Sequence, residues 1–239
     1  MARRCKRLTM KNTKYKLTKE TKELYGRTLH RIEAIKDFGS ICKGDKGGWI
    51  EAETNLSFSG NAWVSGDAQV YGDALVTGNA QVTGNAWVTG DAQVYGNAWV
   101  YGNAWVSGNA QVSGNAWVYG DAWVSGNAQV TGNAQVYGDA LVSGNAQVYG
   151  DALVYGNAQV YGNAWVYGNA QVYGKLKLKA GLFFGVRWSS DTEIKEVEID
   201  DGDYLVYKGE AEFGEEDETE EMTMEEVCKA LGKTIKIKK

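Results

Sequence analysis

Residues able to do chemistry are few in this chain. Histidine occurs once, as His30, and cysteine three times, as Cys5, Cys42 and Cys228, with no C-x-x-C spacing. A zinc centre draws three or four ligands from Cys, His and carboxylates; one histidine and scattered cysteines do not supply them. His30 alternates with Ile32 and Ala34, so it reads as a packed or edge residue of a strand. The odd, dispersed cysteines also argue against a disulfide framework and fit a reducing compartment. Aspartate recurs at Asp67, Asp73, Asp91, Asp121, Asp139 and Asp151. In a coil of three hexads Asp73 would lie under Asp91 and Asp121 under Asp139, ~4.8 Å apart, a pairing that could chelate a cation. Calcium solenoids use denser Gly-Gly-x-Gly-x-Asp turns, and asparagine fills most of these positions here, which favours solvated turn residues. No catalytic residue, metal or cofactor is predicted.

Aromatic side chains are the stronger feature. Trp63, Trp87, Trp99, Trp105, Trp117, Trp123 and Trp165 share one place in a hexad, Gly-(Asn/Asp)-Ala-(Trp/Gln/Leu)-Val-(Ser/Thr/Tyr). This motif runs nineteen times without insertion from Gly60 to Tyr173, and such a repeat decides the architecture. The last four residues of each hexad alternate in character, which is the period of a strand. Only Gly and Asn or Asp separate one strand from the next, and both tolerate the positive φ of a tight turn. Ala and Val never vary while the other face does, so Ala and Val are the interior of a narrow solenoid. The tryptophans, and the tyrosines that end many hexads, then face outward.

The repeated inward aliphatic, as at Val118, Val124 and Val130 with Ala116, Ala122 and Ala128, resembles the hexapeptide-repeat family of left-handed parallel β-helices. The resemblance implies three hexads per 18-residue coil. The residues alone leave a two-sided 12-residue coil open, because the variable position matches no better at a lag of three hexads than at two. With three hexads per coil, Trp87, Trp105 and Trp123 form one column, and Trp99 and Trp117 lie on a neighbouring face. Tyr101, Tyr119, Tyr137, Tyr155 and Tyr173 form a second column, and Gln93, Gln111, Gln129 and Gln147 a ladder. Many hexapeptide-repeat proteins are acyltransferases that use a catalytic histidine and loops leaving the coil. The uninterrupted hexads and the single His30 speak against that activity here.

The phase of the hexads extends past the perfect copies. Ile50 and Ala52, then Leu56 and Phe58, precede Ala62 and Val64 in register, and Leu176, Leu178, Leu182 and Phe184 follow. Three regions are predicted: a β-rich amino cap (1–47), the β-helix (48–185) and a small α+β carboxyl cap (186–239). The amino cap carries strands around Tyr15–Leu17 and Thr28–Ile35. In the carboxyl cap, strands Glu193–Ile199 and Tyr204–Tyr207 flank the turn Asp201-Gly202. A helix capped by Thr223 and Glu226 and stopped at Gly232 precedes a strand at Thr234–Ile237. Stretches from Gly26 to Gly48 and from Met222 to Gly232 resemble flanking modules of phage and prophage hexapeptide-repeat proteins, a group without an assigned activity.

Charge is uneven along the chain. Residues 1–59 hold 14 Lys and Arg against 7 Asp and Glu, residues 60–174 hold 6 Asp and no base, and residues 175–239 hold 11 against 17. The basic prefix with Arg3, Arg4, Lys6 and Arg7 could touch nucleic acid, but it reads as an extension upstream of a start at Met10. No apolar run suits a signal peptide or membrane span, so cytoplasmic residence is expected. The functional expectation is a non-catalytic scaffold that associates with itself or another protein. Trp87, Trp105, Trp123, Trp99, Trp117, Tyr101, Tyr119 and Tyr137 are the binding residues. Recognition of a glycan by the same aromatic residues is the alternative.

Overall fold

The computed structural model describes residues 12–184, and by backbone alone the short strands 187–188, 198–200 and 204–206. The hexads build an all-β parallel solenoid. All but two contribute a two-residue strand, such as Trp99–Val100, Trp105–Val106 or Gln111–Val112, and those two share the longer strand Gln159–Tyr167. Each strand pairs in parallel with the one three hexads on: Trp99 with Trp117, Trp105 with Trp123, Gln111 with Gln129. Three hexads therefore close one coil, and the 12-residue alternative falls. The strands are shorter than the four alternating residues of the motif suggest, but hydrogen bonding between coils continues around the corners. Trp99 N–H bonds to Ala116 O (2.9 Å), Tyr101 N–H to Val118 O (3.0 Å) and Asn103 N–H to Gly120 O (2.8 Å).

Every motif Ala and Val is buried to 1% exposure or less, as the invariance of both positions requires. At about 1.5 kcal/mol or more for each buried Val, this stripe is the main apolar stabilisation of a rod with no other core. The corners are equally constrained. Gly114 sits at φ +67, and a Cβ built on it would stand 2.8 Å from the carbonyl oxygen of Gly132 in the next coil. Glycine recurs there both for its backbone angle and because coils stack glycine on glycine.

The amino cap consists of β1 (Tyr15–Leu24), β2 (Arg27–Ala34) and β3 (Lys46–Ile50), with β1 and β3 each antiparallel to the central β2. β3 joins the solenoid by pairing in parallel with Gln69–Val70. β1 runs on to Leu24, well beyond the predicted Leu17. Its polar outer half lies at the sheet edge and carries no apolar alternation to read. Charged edge strands of this kind discourage pairing with another chain.

Side chains of the cap saturate the first coil. Lys14, itself buried, donates from Nζ to Ala62 O (2.6 Å) and Ser57 O (3.2 Å). The Tyr15 hydroxyl donates to Leu56 O (2.7 Å) and Glu53 O (3.0 Å). Asn55 Nδ2 donates to Gly72 O and Ala74 O. Burial, with Lys36 adding repulsion, lowers the Lys14 pKa to about 8.

The hexad phase slips at both ends. Ile50 pairs with Val70 and Leu56 with Val76, each two positions beyond a full coil, so both occupy the Val position and not the predicted Ala position. The extra length between Leu56 and Ala62 absorbs the difference, and Phe58 there packs its ring 6.0 Å from Tyr15. At the far end Leu178 stays in phase with Val160, but Phe183 pairs with Val166, one position short of a full coil. Phe183 is consequently buried and Leu182 is 63% exposed, the reverse of the sequence expectation, because that corner is one residue shorter. Beyond it, Glu198–Asp200 and Tyr204–Val206 pair antiparallel. The predicted helix and last strand lie outside the described residues. No helix among the described residues is long and apolar enough to cross a membrane.

Candidate functional site

Three faces run the length of the rod, each with two outward columns. One carries Trp87, Trp105 and Trp123 beside Thr89, Ser107 and Ser125, and is called the Trp face below. The second carries the glutamines, with Gln93, Gln111, Gln129 and Gln147 in register. The third, the Tyr face, carries Trp99 and Trp117 beside Tyr101, Tyr119, Tyr137, Tyr155 and Tyr173. The eight residues singled out from sequence thus fall on two faces, and the Trp99 pair shares its face with the tyrosine column. Trp63 also takes the outward position, but it is 1% exposed because Phe38 (5.4 Å) and Tyr15 (6.4 Å) of the cap cover it.

Register brings like rings together. Tyr101, Tyr119, Tyr137, Tyr155 and Tyr173 stack at 4.8–4.9 Å between centroids, with planes within 6° of parallel. Trp105 and Trp123 stack at 5.0 Å and 6°, while Trp87 meets Trp105 at 5.7 Å and 64°. Trp99 and Trp117 lie 6.1 Å apart and tilted by 31°. Parallel rings this close are offset-stacked, so neighbours above and below cover ring faces within a column and much of what meets solvent is edge. Burial raises the pKa of Tyr101, Tyr119 and Tyr137, and the neighbouring hydroxyls raise Tyr119 further. Trp99, Trp105, Trp117 and Trp123 still keep 38–43% of their surface in solvent.

Several participants were not anticipated. The indole N–H of Trp123 donates to Ser107 Oγ (3.3 Å) and that of Trp105 to Thr89 Oγ1 (3.4 Å), which explains small hydroxyl residues beside that column. Tyr25, at φ +48 in the β1–β2 turn, and Tyr71 each meet Trp87 edge-on, at 6.3 and 6.4 Å. No local signal in the sequence joins Tyr25 to Trp87. The corner asparagines form ladders from coil to coil: Asn79 donates to Asn97, Asn97 to Asn115, Asn115 to Asn133 and Asn133 to Asp151, at 2.8–3.1 Å.

His30 is half-buried on β2, opposite Ile50, with Nδ1 enclosed and without a partner. Beside it Arg31 stacks on Trp49 at 5.1 Å, and its Nε, Trp49 Nε1 and Gln69 Oε1 are also enclosed and unpartnered. Among the described residues no three His, Cys, Asp or Glu side chains gather closely enough to hold a metal ion.

Fold and surface together define a parallel β-solenoid repeat scaffold. The family model described as the YdcK beta solenoid repeat matches residues 68–84, 92–108, 110–126, 134–146, 146–160 and 158–174. No curated protein matches the chain.

Proposed function

We propose that this chain is a non-catalytic hexapeptide-repeat rod that docks protein surfaces along its aromatic faces. The observation that carries the reading is the large residual exposure of Trp99, Trp105, Trp117 and Trp123 on a straight run of hexads that contains no lysine or arginine. Contiguous apolar surface of this kind marks partner sites, and Trp and Tyr are the residues enriched where partners bind. Ring geometry favours protein over glycan as the partner. Sugar rings stack on open aromatic faces, whereas within these columns each inner ring lies between neighbours. The smooth coil, with His30 placed in the cap, supports a role without catalysis.

The test replaces Trp87, Trp105 and Trp123 with Gln and Tyr119, Tyr137 and Tyr155 with Ser, residues the motif already carries at those positions. Loss of stacking should lower the melting temperature by a few degrees, at roughly 0.2–1 kcal/mol per cross-strand pair, while the circular dichroism spectrum stays. Association of the intact chain, measured by light scattering across concentration and by retention of bound protein, should disappear. Unchanged association in the sixfold variant would refute the docking role.

A further inference from the structure

We propose that the tyrosine column of the Tyr face is a site of oxidative modification, where a one-electron oxidant closes dityrosine bonds between successive coils. This chemistry needs no docked partner and goes beyond the role proposed above. Ten tyrosines close hexads between Tyr71 and Tyr173, and five of them, Tyr101, Tyr119, Tyr137, Tyr155 and Tyr173, fall in one unbroken column. Register does not gather the others in this way. Tyr71 and Tyr95 are followed one coil on by Thr89 and Ser113, and Tyr161 by Lys179. Outside the column, Tyr149 and Tyr167 stack as a pair at 5.2 Å and 8°.

Geometry makes the five rings one unit. Each lies 4.8–4.9 Å from the next, with planes 1–6° apart. Like carbons of neighbouring rings are then about one rise apart, including those ortho to the hydroxyl, where a phenoxyl radical holds much of its unpaired electron. Parallel contact also lets an electron pass from ring to ring, so a hole made at one phenol is shared along the column. Trp99 and Trp117 join this chain of rings at Tyr101, which Trp117 meets edge-on at 6.1 Å. All five tyrosines are half-buried, with edges through which the proton of an oxidised ring leaves to water. Burial raises the pKa of Tyr101, Tyr119 and Tyr137, so they enter the reaction as neutral phenols at physiological pH.

Each of two phenols gives one electron to the oxidant and its hydroxyl proton to water. The two phenoxyl radicals pair their electrons in a carbon–carbon bond between ortho positions. The two ring hydrogens displaced there move to the oxygens and restore both phenols. Two electrons and two protons have left, which a peroxidase passes to one hydrogen peroxide to give two waters. Coupling inside the column is unimolecular, because the fold already holds the reacting rings side by side. A bond from Tyr119 to Tyr137 joins residues one coil apart in space and 18 apart in sequence. Contacts between neighbouring coils carry the stability of a solenoid. Closing a loop across them restricts the unfolded chain as a disulfide does, so the modification staples the rod.

The test exposes the full chain, dilute, to light, tris(bipyridyl)ruthenium and persulfate, which takes up two electrons and becomes two sulfate ions. Dityrosine fluorescence should appear while the protein still runs as a single chain in a denaturing gel. Peptide mass spectrometry should place the bonds between neighbours in the column, and these should outnumber bonds between Tyr149 and Tyr167. The treated chain should melt higher than the untreated one. Tyr119→Phe with Tyr155→Phe keeps a ring at every rung but leaves no two column tyrosines adjacent. In this variant column dityrosine should fall at least tenfold and the rise in melting temperature should vanish, with the circular dichroism spectrum unchanged. Tyr95→Phe with Tyr161→Phe, outside the column, should leave the column yield within twofold. Bonds that form chiefly between chains, or chiefly between Tyr149 and Tyr167, overturn the assignment of the site. So does a column yield that survives Tyr119→Phe with Tyr155→Phe. A crosslinked wild type that melts no higher than before overturns the stapling.

Discussion

Glycine at the corners does two separable jobs, and a pair of alanine substitutions tells them apart. Gly26, in the β1–β2 turn, has φ +77 and open space around the position of a Cβ. Gly26→Ala therefore carries only the strain of a left-handed backbone, about 1–2 kcal/mol. Gly114 has nearly the same angle, φ +67, so that strain is common to both. Its added Cβ would also stand 2.8 Å from Gly132 O, 2.9 Å from its N and 3.3 Å from its Cα. These are backbone atoms that cannot rotate away. Relief means opening the corner between the two coils, which strains the 2.7 Å bond from Asn115 N–H to Gly132 O. Losing one such bond with its groups left partly enclosed adds about 1–3 kcal/mol. The expected total for Gly114→Ala is about 2–5 kcal/mol, against about 1–2 kcal/mol for Gly26→Ala. Urea unfolding followed by circular dichroism, with the slope compared between variants, reads the difference. Equal losses for the two variants would show that the coils do not stack glycine on glycine as described.

Val118→Asp should abolish folding, because it places an unpaired charge in a core where Val118 is fully buried. Gln111→Ala, which gives up only the 3.3 Å bond from the Tyr95 hydroxyl, should move the melting temperature by a few degrees at most. Deleting Gly96 to Ser113 removes one whole coil and should leave a soluble folded protein. Deleting Gly96 to Tyr101 alone turns everything beyond it by a third of a coil and should lower the melting temperature far more. Stability should also depend on pH through the cap. The Lys14 pKa is lowered to about 8 in the folded chain from an ordinary 10.5, so stability should rise as pH climbs from about 8 towards 10.5. Burial raises the pKa of Tyr15 above its ordinary 10, so the stability it contributes is full below pH 10 and falls above it. Melting temperatures from pH 7 to 11 should therefore pass through a maximum near 10, and Lys14→Met should flatten the rising limb.

Sequence made the middle of this molecule legible because one constraint repeats there. Ala116 and Val118 must fit a core with no spare volume, and the outward ring at Trp117 follows from alternation alone. The number of sides was not legible. It depends on whether Trp105 meets Trp123 or some other residue, and the hexads look alike at either lag. The ends were misread for a related reason. Ile50, Leu56 and Leu182 are apolar and suitably placed by counting, yet an insertion near Phe58 and a loss near Gly181 shift what they pair with. Irregular corners carry no periodic signal. Among the site residues the columns could be counted out, but Tyr25 reaches the distant Trp87 through a hairpin whose outer half is polar.

The corner ladders give the rod a chemical direction. In nine amide bonds an asparagine passes a proton donor to the residue one coil later, and among the described residues none runs the other way. Asp121 and Asp151 can receive such a bond but cannot hand one on, so each ends its run. Deamidation would thus age the molecule unevenly. An Asn115 converted to Asp keeps what Asn97 gives it and withdraws what it gave Asn133. At Asn133 the same conversion would also set a new carboxylate against Asp151, turning a bond into a repulsion. The damage from one lost amide depends less on how exposed it is than on what waits for it one coil downstream.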